Sequence, residues 1–167
     1  MKRDPNLRTL SWEHHEGLVL TFRIEQGLRK KSDVELVRAY VLDMWDEELT
    51  HHFWQEEQIL PPVLNRTEDG KALLSKMIED HEQFHRMISD IRKSKDKMEE
   101  KLGHFGKSLN AHIRFEERQL FPFVEEHSGK NEILRIGEFL HEQHRSGKKC
   151  WEPAFWRQEA VAVSSEQ

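Results

Sequence analysis

Residues 52–63, HFWQEEQILPPV, and residues 112–124, HIRFEERQLFPFV, are one phrase written twice. His52 lies over His112, Glu56 over Glu116, Glu57 over Glu117 and Pro62 over Pro122, at a constant offset of 60. Agreement at this many positions marks an internal repeat. A weaker match sets His15-Glu16-Gly17-Leu18-Val19 over His81-Glu82-Gln83-Phe84-His85, at an offset of 66. The chain therefore reads as two helix-pair halves built on one plan.

Residues four apart share a helix face. His52 with Glu56, His81 with His85, and His112 with Glu116 are three pairs that each point one way. Trp45 and Leu49 fall on the His52 stripe, Phe84 and Ile88 on the His81 and His85 stripe, and Leu18, Val19 and Phe22 flank His15. An ionisable residue on an apolar stripe is costly unless it is paired or metal-bound. Seven such groups, His15, His52, Glu56, His81, His85, His112 and Glu116, repeated by internal symmetry, point to a metal centre. The repeat also removes candidates. His14 falls opposite Asp80 and His51 opposite Ala111, so both rank as supporting or surface groups. Glu57 and Glu117 sit one step round the helix. Glu117 is the alternative to Glu116, and His14 the alternative to His15. His104, His127, His141 and His144 have no patterned partner.

Glycine and proline punctuate the rest. The reading is a first helix over 11–29 with Ser11 as its N-cap, a second from the Ser32-Asp33 cap to Pro61, a third over 71–95 and a fourth over 99–127, kinked at Pro122. A short fifth helix follows over 131–144. Four long helices with short connections give an all-α, up-down-up-down four-helix bundle, whose core suits a metal site. Residues 1–145 form the bundle and 146–167 a C-terminal tail, whose Trp151, Phe155 and Trp156 are expected to pack on the bundle.

Composition fits this reading. Charged residues make up 34 % and apolar residues 36 %, with a net charge of −5, as amphipathic helices require. No basic cluster interleaved with aromatics suggests nucleic acid. No apolar run is long enough to span a bilayer, and the first ten residues lack a signal-peptide core. The single cysteine, Cys150, excludes an internal disulfide framework and suits a reducing cytoplasm.

Five imidazoles and two carboxylates without a thiolate cluster disfavour structural zinc, iron–sulfur and calcium sites. Iron, zinc, copper or manganese would suit. Seven ligands exceed one tetrahedral ion and fit two six-coordinate ions sharing carboxylates. Glu48-Leu-Thr-His51 and Glu82-Gln-Phe-His85 also have the Glu-x-x-His spacing of ferritin-like di-iron proteins, but the repeat does not preserve the first of them.

His15, His52-x-x-x-Glu56, His81-x-x-x-His85 and His112-x-x-x-Glu116, in that order on four helices, resemble the hemerythrin-like HHE cation-binding domain over about 11–127. The last carboxylate departs from that of classical hemerythrins, an aspartate five residues after its histidine, a spacing that Glu117 occupies here. The resemblance implies two iron ions in an oxo- or hydroxo-bridged non-heme centre. It implies that Glu56 and Glu116 bridge, that His81, His85 and His112 complete one iron, and that His15 and His52 hold the other. Val19 stands where the other half has His85, so a vacancy beside Val19 is expected to admit dioxygen, nitric oxide or peroxide. Such a centre serves a reversible binder or sensor, or a di-iron oxidase or peroxide- or nitric-oxide-handling enzyme. A metal-free helical interaction module is the third reading.

Overall fold

A computed structural model describes residues 3–144 and 151–157. Cys150 and the remainder of the tail lie outside the described residues.

Four rods form the bundle. The first is α1 (Arg8–Arg29), led in by a 3-10 turn, Pro5–Leu7. The second combines α2 (Val34–Met44), a π-helical turn (Trp45–Leu49), α3 (Thr50–Ile59) and the short α4 (Pro61–Leu64). The third is α5 (Glu68–Lys93). The fourth combines α6 (Met98–Phe115), a second π-helical turn (Glu116–Leu120) and α7 (Phe121–His127). The fifth helix, α8 (Lys130–Gln143), lies against the 3-10 turn. No strand occurs among the described residues.

The helices form where burial and capping agree. On α1 the buried positions are Leu10, His14, Gly17, Leu20, Ile24 and Gly27, and on α5 they include Met77, His81, Phe84, Ile88 and Ile91. Both sets step by three and four residues, the helical period. Asp33 caps α2 by accepting from the backbone N–H of Glu35, and Thr67 caps α5 by accepting from that of Gly70. Ser11 is not a cap. It lies one turn inside α1 and donates from Oγ to Glu117 Oε1 at 2.7 Å. The kink foreseen at Pro122 is a π-helical turn ending just before it. A proline ring clashes with the carbonyl four residues back, and a widened turn gives it room.

Two apolar clusters show the topology. One holds Leu20, Ile24, Val37, Trp45, Ile88, Ile91, Leu102 and Phe105, and the other Leu10, Leu60, Leu64, Met77, Leu120 and Val124. The first rod runs from the second cluster to the first, the next returns, the third repeats the outward path and the fourth returns. The up-down-up-down order follows. Between the clusters lies a polar layer, reached where each rod switches from one to the other.

Each end has a cover. α8 and Leu7 close the second cluster through Ile136 and Leu140. The tail closes the first. Phe155 is fully buried and meets Tyr40 with Trp151 and Trp156. Only glycine fits at position 27, because a Cβ there would fall 2.7 Å from the Phe155 ring.

Candidate metal centre

The polar layer holds six buried side chains. His14, His52, Glu56 and Glu116 form one group and Glu56, His81, His112 and Glu116 a second, with ligand atoms in each group within 4.8 Å of one another. The two groups share both glutamates. Glu56 and Glu116 are fully buried, and the four histidines are no more than 5 % exposed.

Every ring is oriented the same way. Nδ1 of His14 meets Glu117 Oε1 at 2.8 Å, Nδ1 of His52 meets Glu13 Oε2 at 2.7 Å, Nδ1 of His81 meets Glu57 Oε1 at 2.8 Å and Nδ1 of His112 meets Asp80 Oδ2 at 3.1 Å. An ionised carboxylate only accepts, so each Nδ1 carries the hydrogen and each Nε2 faces inward. The inward atoms are Nε2 of the four histidines and both oxygens of Glu56 and Glu116. All eight are buried and none makes a hydrogen bond. The closest Nε2-to-carboxylate approaches run from 3.0 Å for His14 and Glu116 to 3.4 Å for His81 and Glu56. Leaving such groups unpaired is expensive. Imidazole nitrogen and carboxylate oxygen are the donors a divalent transition ion takes, so the residues fit a metal pair. A histidine whose far nitrogen bonds a carboxylate is the usual support for a metal ligand.

Without metal, the surrounding carboxylates favour the charged form of His14, His52 and His81. Burial opposes protonation of His52, but the charge of Glu56 and the bond to Glu13 raise its pKa to about 9. Burial opposes it for His14 and His81 too, and the surrounding glutamates still raise both. Burial would raise Glu56, but the neighbouring histidines, His52 foremost, hold it well below the usual carboxylate range.

Five of the seven expected residues, His52, Glu56, His81, His112 and Glu116, meet in this layer. His15 and His85 do not. His15 is exposed, and its neighbour His14 takes the inward place. One residue is about 100° of helix turn, and the core stripe of α1 passes through Leu10, His14 and Gly17. The stripe with His15 leads instead to Phe22, which is 56 % exposed. His85 is exposed as well and sets its ring against the edge of Trp45, with centroids 4.8 Å apart. The inward stripe of α5 runs through His81, Phe84 and Ile88. Val19 is only partly buried and its counterpart His85 faces out, so the expected vacancy beside Val19 loses its geometric basis.

The register between the first and third rods is therefore 67, not 66. Glu13-His14 lies over Asp80-His81. The supporting bonds then obey the repeat: the first- and third-rod histidines reach Glu117 and Glu57, and the second- and fourth-rod histidines reach Glu13 and Asp80. Sequence reasoning missed Glu13 and Asp80, although two matching acid-histidine dipeptides were the signal. His51 stays outside the layer, stacking on Trp54 and bonding from Nε2 to the carbonyl of Gln143.

No helix of the described residues is long and apolar enough to cross a membrane. No curated protein and no solved structure matches the chain. The family model of the hemerythrin HHE cation-binding domain matches residues 7–124.

Proposed function

The chain belongs to the hemerythrin HHE cation-binding family, and from that premise we propose that it holds two iron ions and binds dioxygen, nitric oxide or peroxide at them. The observation that carries the reading is the set of eight buried, unpaired donor atoms in two groups that share Glu56 and Glu116. His14 and His52 would hold one ion and His81 and His112 the other, with the two glutamates common to both. When bound, an iron pair supplies two redox-active Lewis acids.

The protein's part is positioning. Four carboxylates, Glu13, Glu57, Asp80 and Glu117, fix which nitrogen of each ring faces inward. The apolar clusters on both sides keep bulk water from the layer. Each position receives two imidazoles and a share of two carboxylates, fewer donors than the six of an octahedral ion. That leaves room for a small ligand at either position, without the single vacancy beside Val19. The orphaned donors also weigh against a metal-free helical module. We assign the protein to a reducing cytoplasm on its single cysteine.

The test is the absorption spectrum of the reduced, iron-loaded protein on adding and then removing oxygen, and separately on adding nitric oxide. A binder changes spectrum reversibly with oxygen. A single irreversible oxidation, with turnover of added reductant, would replace this reading with that of an oxidase. No spectral response to either gas would refute both.

A further inference from the structure

The two halves of the centre match donor for donor, but their surroundings differ. Glu117, which holds His14, is itself held. Arg3 Nη2 donates to its Oε2 and to its backbone carbonyl, both at 2.8 Å, and Ser11 Oγ donates to its Oε1 at 2.7 Å. Arg3 Nη1 also pairs with Glu125 Oε1 at 3.1 Å, and the backbone N–H of Asp4 donates to that oxygen at 2.7 Å. The Arg3 guanidinium lies 5.1 Å over the Phe121 ring, and Phe121 stacks on His14 at 5.0 Å and 4°. Asn6 anchors the same segment on α8, where a Cβ on Gly137 would fall 2.3 Å from its Oδ1.

The other half is held only at Asp80, the partner of His112, which accepts from the half-exposed Lys76 Nζ at 2.8 Å; Glu57 has no such strap. Glu57, the counterpart of Glu117, bonds His81 and is paired with no lysine or arginine among the described residues; its side chain is 38 % exposed. The ring stacked on His81 is Phe53, at 4.0 Å and 14°. Behind Phe53 stands Trp45, at 5.7 Å, where the other half has a guanidinium.

We propose that Arg3 is a positioning residue that makes the two metal positions unequal: the His14 and His52 position is preformed and fills first, and the His81 and His112 position is the weaker. This rests on the two-ion reading above. A carboxylate fixed by a guanidinium and a hydroxyl has already lost its rotamer freedom, so His14 arrives oriented and binding need not order it. Glu57 orders only when its ion binds. Loss of a group that orients a ligand in this way typically costs about 10–100-fold in metal affinity.

The experiment is titration of the metal-free protein with Co²⁺ alone, without air, followed by calorimetry and by the d–d absorption of the ion. Wild type is expected to fill in two steps. Arg3→Ala should weaken the first step by about tenfold or more and leave the second. Arg3→Lys keeps the charge without the fork and should recover only part. Glu57→Gln should weaken the second step alone. Circular-dichroism melts establish that each variant folds. Should Arg3→Ala not fold, Glu125→Gln, which releases the other carboxylate bound by Arg3, must show the same selective loss in smaller measure. A single step of two equal ions in wild type, or equal weakening of both steps in Arg3→Ala, would overturn the proposal. Failure of wild type to bind Co²⁺ would instead refute the two-ion reading on which it rests.

Discussion

His14 Nδ1 lies 2.8 Å from Glu117 Oε1, joining the first rod to the last across the boundary between the two repeats. The bond turns Nε2 of His14 toward Glu116, 3.0 Å away. It also decides between two adjacent histidines, since His15 is exposed and bonds no carboxylate among the described residues.

That choice is open to direct trial. His14→Ala should lose the bound ion of its own position, and His15→Ala should keep both. His85→Ala should also keep both, because its ring faces Trp45 rather than the layer. Metal content per chain after gel filtration checks all three. Loss of an ion in His15→Ala or His85→Ala with retention in His14→Ala would reverse the assignment.

Glu13 and Asp80 act on metal only through the rings they hold. Glu13→Gln and Asp80→Asn keep the volume but exchange a carboxylate for an amide. Each should lower the affinity of one position by about 10–100-fold, with the overall fold intact. Competition against a chelator measures the loss. Affinities within twofold of wild type would mean these bonds do not set ring orientation.

The repeat made the bundle legible, because a duplicated His-x-x-x-Glu on a helical period leaves little choice of topology. It also identified Glu56 and Glu116, whose spacing to His52 and His112 survives duplication unchanged. The first-rod histidine that enters the layer differs from the expected one for a physical reason. An alignment scored on identical letters favoured His15 over His81, whereas burial selects the stripe of Leu10, His14 and Gly17. The outward turn of His85 was not legible either, since residues four apart still differ by about 40° round a helix. Phe84, not His85, enters the core beside His81.

pH should act oppositely on the metal-free and loaded proteins. The pKa of His52 rises from an ordinary 6.5 to about 9 on folding, because Glu56 and Glu13 outweigh burial. A group raised in this way contributes stability fully present below about 6.5, and lost as pH climbs through about 9. The metal-free protein should therefore unfold at lower urea concentration at about pH 9.5 than at about pH 6. Metal displaces those protons, so metal affinity should rise across the same window. A urea midpoint that rises with pH in the metal-free protein would contradict this.

The tail should matter to stability and not to metal. Phe155→Ala removes a fully buried ring that packs on Tyr40 and fills the space over Gly27. A loss of about 3–5 kcal/mol in unfolding free energy is expected, with metal content unchanged because the ring belongs to the cluster at the end of the bundle. Urea denaturation with metal analysis of the folded variant checks both parts. A loss of metal without a loss of stability would place the tail at the centre instead.

The central claim is that Glu56 and Glu116 serve two ions at once. Titrating the metal-free protein with Fe²⁺ under anaerobic conditions, with iron counted per chain, tests it most directly. The account predicts saturation at two irons per chain, and loss of both in Glu56→Ala. Saturation at one iron, or a Glu56→Ala protein that keeps one tightly bound ion, would contradict it.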